Sequence, residues 1–358
     1  MMHRSARAAL STRAAYGLIA AIVFVLLGLF ALAGGWIGPA RVGGAAVSDA
    51  LEYNAGRHAG YRRAHAKGLC ISGVFEANGR GVALSRAGIF RKGHYPVEGR
   101  FSIAGGNPLA GDGRNVFHSM ALILRTPDGQ QWRTGMDHAE IFPVSDVAAF
   151  VGLQRASRPD PATGKPDPEA MKAFAASHPE VRAFQQYMKT HPLPDAFTDG
   201  PYYSINAFRF TNARGVTRFV RWAMLPEDPL VALDKRTLGE LPRNAVFERT
   251  LKRLADGPAR WHLIVTIAEP GDVTDRATTA WPEGRRTVDV GSLVIDKAVP
   301  EASGNCRDEV FDPTILPTGM APSDDPLLAA RSAAYSSSFT RRASEGVRSN
   351  LPVSAKGL

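Results

Sequence analysis

The sequence predicts an α+β fold: a closed antiparallel β-barrel of about eight strands with surrounding helices, preceded by one N-terminal transmembrane helix. Three observations carry this. Short runs dense in β-branched and aromatic residues recur between tight turns such as Asn78-Gly79 and Thr126-Pro127-Asp128-Gly129. Helical patterns sit among and after these runs, and neither a Rossmann glycine pattern nor a P-loop opens a βα unit. At the amino end, residues 14–40 carry no charged side chain and residues 17–32 are almost wholly apolar. About 20 apolar residues span a bilayer as a helix.

The apolar stretch organises the chain into a cytoplasmic tail (1–13), a transmembrane anchor or signal segment (14–38), one domain (45–345) and a flexible, Ser-rich tail (346–358). Arg4, Arg7 and Arg13 precede the stretch. Positive charge stays on the cytoplasmic side. The expectation is a single-pass protein of the inner (cytoplasmic) membrane with its domain facing the periplasm or exterior. The alternative is secretion to the periplasm, because Ala31-Leu32-Ala33 reads as a signal-cleavage motif.

Within the domain, residues 47–60 read as a short helix with Asp49, Glu52 and Arg57 on its polar face. Strands are expected at 69–77, 82–90 and 97–103, with Asn78-Gly79 as a hairpin turn. Residues 105–113, rich in Gly, Pro, Asn and Asp, must be loop. Strands at 120–125 and 131–136 lead to a helix at 144–153, a Pro-rich segment, and helices at 169–176 and 180–188. A hairpin follows at 202–211 and 216–225, with Tyr202, Tyr203 and Trp222 in the barrel wall or core. The helix at 244–255 is amphipathic, and Gly257 stops it. Strands at 261–268 and 287–295, a long loop and a helix from 326 to about 342 complete the domain.

The chain has 358 residues, 44% hydrophobic and 22% charged, which is a globular balance with ample core. The net charge of +9 is spread along the chain, so it does not argue for a nucleic-acid partner. Only two cysteines occur, Cys70 and Cys306, with no zinc spacing. Cys70 lies in an apolar run and reads as a free core thiol; a disulfide with Cys306 is the alternative if the domain is exported.

The chemistry concentrates in two distant stretches. His65 follows Arg62 and Arg63 at the mouth of an apolar strand. Arg331 and Tyr335 lie four apart in the last helix and share a face. A guanidinium held against a phenol favours the phenolate, a hard anionic ligand suited to ferric iron.

These residues stand in a longer pattern. RRAHAKGLCISGVFE resembles the distal-histidine segment of haem catalases, and AARSAAY their proximal Arg-x-x-x-Tyr helix. GRFSIAGGNP resembles the family's Arg-Phe-Ser strand, and DVTDRATTAWPEGRRTVDVGSLVID its Trp-Pro loop and following strand. The order is kept from about residue 60 to 345. PYYSINAFRFTNARGVTRFVRW and PSDDPLLAARSAAY are similar to the short branch, the catalase-related peroxidases.

The resemblance implies haem b as cofactor, with Tyr335 as proximal iron ligand and Arg331 keeping it ionised. It implies His65 as distal acid/base, Ser102 as the partner that fixes the ring, Arg62 and Arg100 on the haem propionates, and Phe142 stacked near the haem. The full catalases carry an amide where alignment on Gly135 and Phe142 places Asp137. A carboxylate cannot donate that hydrogen bond unless protonated; His138 is an alternative donor. The expected function is therefore a peroxidase that reduces hydrogen peroxide or organic peroxides with an external electron donor. A true catalase, and a haem- or apolar-ligand-binding barrel without turnover, are the alternatives.

Overall fold

Alternating apolar residues need a closed interior, and the strands supply one. The computed structural model describes residues 11–33, 42–114 and 117–345. These fall into an amino-terminal unit and a main unit beginning at Gly43. In the first, α1 (Thr12–Ala33) is long and apolar enough to cross a membrane. The first ten residues of the expected tail, residues 34–38 of the expected span and the tail at 346–358 lie outside the described residues.

The main unit opens with α2 (Gly44–Ala55), β1 (Gly68–Ala77), β2 (Gly93–Ile103), β3 (His118–Arg125) and β4 (Gln131–Asp137). Helices α3 (Val147–Ala156), α4 (Pro168–Ser177) and α5 (Pro179–Thr190) follow. Next come β5 (Tyr202–Tyr203), β6 (Phe208–Thr211), β7 (Thr217–Pro226), α6 (Ala245–Asp256), β8 (Ala259–Ile267), β9 (Thr287–Pro300), β10 (Met320–Pro322) and α7 (Pro326–Ser344). The sheet order is β10-β6-β7-β5-β4-β3-β2-β1-β9-β8, and β8 pairs back onto β7. Eight antiparallel strands thus close a barrel, with β6 and β10 as an extension beside β7, as the sequence predicts.

The interior follows the two-residue period of a strand. One row across the wall is Leu69, Phe101, Met120 and Met136, all buried inside. The flanking rows face outward: Gly68, Ser102, Ser119, Asp137 and Tyr203 in one, and Cys70, Arg100, Ala121 and Gly135 in the other. That outward face of β1–β4 is where the functional side chains gather.

Four expectations need correction. Residues 82–90 form no strand. They make two short 3-10 turns, and β1 pairs directly with β2, so Asn78-Gly79 turns the chain without closing a hairpin. Ile89 and Phe90 are buried by plugging the barrel, where Phe90 meets Trp132 and Phe210. Such burial stabilises by about 2–3 kcal/mol per side chain without any strand pairing. The strand at 202–211 is broken, because Ile205 takes φ 62 between β5 and β6. The first helix ends at Ala55, since Gly56 adopts φ 82. Cys70 is not a free thiol: it forms a disulfide with Cys306, which ties β1 to the loop after β9.

Helix α7 lies between the barrel and α2. A Cβ on Gly44 would come within 2.1 Å of the Ala333 carbonyl, so glycine there permits the close crossing. Ser48 donates to Ser337 at 2.9 Å, and Arg341 pairs with Asp49 and Glu52. Arg63, buried, bridges Glu52 and Glu345, each at 2.5 Å, and so joins α2, the segment before β1 and the end of α7. Burial opposes the charge on Glu345, but Arg63, the Gly60 amide and Arg57 hold its carboxyl down to about 2.

The sign follows from linkage. The stabilisation is complete above the ordinary glutamate value of 4.5 and is lost as pH falls from there through about 2. Glu345→Gln should lower stability at pH 7 by about 1–3 kcal/mol. In urea melts, the gap to wild type should narrow below pH 4.5. A gap of equal size at pH 7 and pH 3 would show that the charge is not the cause.

Candidate active site

The last helix is started firmly. Asp325 caps α7 by accepting from the Leu327 amide at 2.9 Å, Pro326 occupies the first turn, and Leu327 and Leu328 are buried. One turn further on, Arg331 points at β4. Its Nη2 donates to Tyr335 Oη and to the Gly135 carbonyl, both at 3.3 Å, and its Nη1 donates to Asn206 Oδ1 at 2.9 Å. Asn206 Nδ2 in turn donates to Asp325 at 2.8 Å.

The left-handed backbone at Ile205 lies just before Asn206 in this chain. A β-branched residue rarely adopts that conformation, so the strain falls beside a site residue. Gly135 is needed too, since a Cβ there would stand 2.7 Å from Arg331 Nη2 and 3.6 Å from Tyr335 Oη. Burial opposes the charge on Arg331, but Tyr335, Asp137 and Asp312 hold its pKa above the ordinary arginine value.

On the same barrel face, His65 sits in the loop entering β1 with φ 54. Its neighbours fix it. The Ala66 amide donates to the Gly105 carbonyl at 2.9 Å, and buried Lys67 pairs with Asp112 at 2.6 Å. His65 Nδ1 lies 3.3 Å from Ser102 Oγ. Burial, and then the charges of Arg100, Arg331 and Arg62, push His65 down to about 3, so its ring is neutral at physiological pH.

Two strands along the Ser102 row, Ser119 Oγ donates to Asp137 Oδ1. Burial pushes Asp137 up to about 6, against that hydrogen bond and the Arg331 charge. Protonated Asp137 is therefore accessible in mildly acid solution.

At the other side of His65, two arginines converge. Arg62 Nη1 meets Glu301 Oε1 at 2.8 Å, and Arg100 grips both Glu301 oxygens at 2.5 and 3.0 Å. Burial and the neighbouring Arg100 bring Arg62 down to about 9, although Glu301 opposes the fall. Arg342 is close enough for its charge to act on both Arg62 and Glu301, and its Nε is buried without a hydrogen-bond partner.

The structure thus brings together His65, Ser102, Arg62, Arg100, Asp137, Arg331 and Tyr335. Phe142 packs beside α3 and beneath the start of α7. Its ring stacks on Phe150 of α3, its amide donates to the Ala277 carbonyl, and it reaches the cluster of Ile205, Ala277 and Leu327 under the first turn of α7. His138 is engaged elsewhere, accepting from the His118 amide and packed with Phe117, His118 and His191.

Sequence reasoning missed Ser119, Asn206, Glu301, Asp325 and Arg342. Arg342 had a signal, because it lies seven residues after Tyr335 and so returns to the same stripe of the helix. Ser119 follows from the register once β2 and β3 are paired. Asn206 and Glu301 carry no pattern of their own.

The Catalase family model matches residues 37–356. A catalase-related peroxidase of Synechococcus elongatus is 35% identical over 313 residues, covering 86% of this chain and 92% of that protein. A catalase-related peroxidase of Mycolicibacterium paratuberculosis is 32% identical over 298 residues, covering 82% and 93%. Among solved structures, a bacterial catalase superposes with a TM-score of 0.70 at 20% identity, over 80% of this chain and 58% of that one. A fungal catalase gives 0.69 at 18%, over 79% and 59%. The match therefore spans about three fifths of these solved catalases.

Proposed function

The chain belongs to the catalase family, whose chemistry is the oxidoreduction of peroxide, and from that premise we propose that it is a haem-dependent peroxidase using an external electron donor. The observation that carries this is the pairing, on one barrel face, of a buried guanidinium–phenol unit with a neutral imidazole braced by serine. The residues present fit a haem. Tyr335 would offer iron a phenol oxygen beside the fixed positive charge of Arg331, Gly135 leaves room for that guanidinium, and Arg342, with its partnerless Nε, would join Arg62 and Arg100 in meeting carboxylates. Haem b supplies, when bound, the redox chemistry that breaks the peroxide O–O bond.

The protein's part is proton handling and positioning. With Nδ1–H donating to Ser102 Oγ, His65 presents the Nε2 lone pair to a peroxide proton and can return that proton to the distal oxygen as it leaves. Ser102 holds the ring in place, its hydroxyl being able to accept from Nδ1–H or to donate to Nδ1. Asp137, when ionised, only accepts hydrogen bonds and repels an approaching peroxide anion; when protonated it can donate one. The apolar α1 and the Cys70–Cys306 disulfide together support a domain exported across the membrane and held there by its leading helix.

The test compares donor oxidation with oxygen evolution in haem-reconstituted protein. At pH 7 and above, donor oxidation should dominate. Because the Asp137 value of about 6 lies above the ordinary carboxylate, its neutral fraction rises as pH falls, by about tenfold between pH 7 and pH 5. Oxygen evolution should rise with it. Asp137→Asn should evolve oxygen at pH 7 without this acid dependence. Vigorous evolution by the wild type at every pH would favour a true catalase.

A further inference from the structure

Glu301 is a charged residue for which the peroxide chemistry has no use, yet it holds the two arginines that the haem reading assigns to the cofactor's carboxylates. Arg100 is occupied through Nε and Nη2 on both Glu301 oxygens. Arg62 is occupied through Nη1 on Glu301 and through Nη2 on the Cys306 and Glu309 carbonyls, both at 2.9 Å. Glu301 also borders a cavity lined by Arg62, Lys67, Arg307 and Arg342. The loop behind it is tethered by the disulfide at Cys306, five residues on. The backbone is thus pinned, and what holds the carboxylate where it is are its bonds to the two arginines.

We propose that Glu301 is a resident carboxylate that competes with the cofactor's own carboxylates for Arg62 and Arg100, and that it swings into the adjoining cavity when they bind. Glu301 is then a specificity-determining residue of the cofactor site. It stabilises the arginine pair until a dianionic porphyrin replaces it, and it disfavours porphyrins that lack the charges to do so. This inference rests on the haem assignment.

The experiment is haem titration of the full-length protein in detergent, comparing wild type with Glu301→Gln, using haem and haem dimethyl ester as probes. Thermal melts are recorded with and without haem. Removing one partner of a buried ion pair leaves the others uncompensated. Glu301→Gln should therefore melt lower than wild type without haem, bind haem about tenfold more tightly, and show the larger haem-induced rise in melting temperature. The dimethyl ester should show no such gain.

If Glu301→Gln binds haem equally or more weakly, or melts lower by the same amount with and without haem, Glu301 merely braces the arginines and the proposal is wrong. If that variant does not fold, Glu301→Asp keeps the charge with a shorter reach and should shift both readouts in the same direction by less. Wild type that takes up no haem through Tyr335 would overturn the haem assignment itself, and this inference with it.

Discussion

Tyr335→Phe is expected to abolish axial ligation of iron and to weaken haem binding by at least about 100-fold, or about 2.7 kcal/mol. The substitution removes one oxygen and leaves the rest of the arrangement standing. Arg331 keeps its bonds to Asn206 at 2.9 Å and to the Gly135 carbonyl at 3.3 Å, so it is not stranded in the interior. The lost Arg331–Tyr335 bond is long, at 3.3 Å, and its loss should cost the fold only about 1 kcal/mol. Loss of ligation is then separable from unfolding. Circular dichroism should be unchanged while the ferric absorption spectrum of the reconstituted protein loses its phenolate signature. A Phe variant with wild-type spectrum and affinity would place the iron ligand elsewhere. Asn206→Ala offers a graded comparison, because it unties Arg331 from Asp325 without touching the ligand.

How much of this was legible depends on whether a residue's role is local in the sequence. The Arg331–Tyr335 pair is local: a helix places residues four apart on one face, and the contact is as expected. The His65–Ser102 contact is not local, but β1 and β2 pair directly, and register carries Ser102 to Gly68, three residues after His65. The broken strand at Ile205 was illegible for a physical reason. Tyr202 to Thr211 has the composition of a strand, and nothing local marks the left-handed backbone at Ile205, whose neighbour Asn206 bonds Arg331 and Asp325 more than 100 residues away.

The run at 82–90 misled in the opposite way. Its apolar residues are buried as a strand's would be, but against Trp132 and Phe210 and not in a ladder. The cysteines also show the limit of local reading. Cys70 sits in an apolar strand as a free thiol would, and its partner lies 236 residues away on a loop whose course no pattern fixes.

Substitution of His65 tests the other half of the site. Donor oxidation by the reconstituted protein should fall by about 10²–10⁴-fold, the usual share of a positioned acid/base. Haem should still bind through Tyr335. The choice of residue matters, because His65 holds φ 54 and alanine is strained there, while asparagine tolerates that region. His65→Asn is thus the cleaner variant, and His65→Ala should match it in turnover but melt lower. Ser102→Ala should cost less than either, since the ring remains and only its orientation is freed.

The pH profile separates the two titrating groups. With His65 neutral down to about 3, wild-type donor oxidation should not fall between pH 8 and pH 5 through protonation of the imidazole. A change in that window that disappears in Asp137→Asn belongs to Asp137, near 6. A turnover that drops with an apparent pKa of about 6.5, the unperturbed histidine value, and that is lost with His65 would contradict the buried, cation-flanked environment described for this ring.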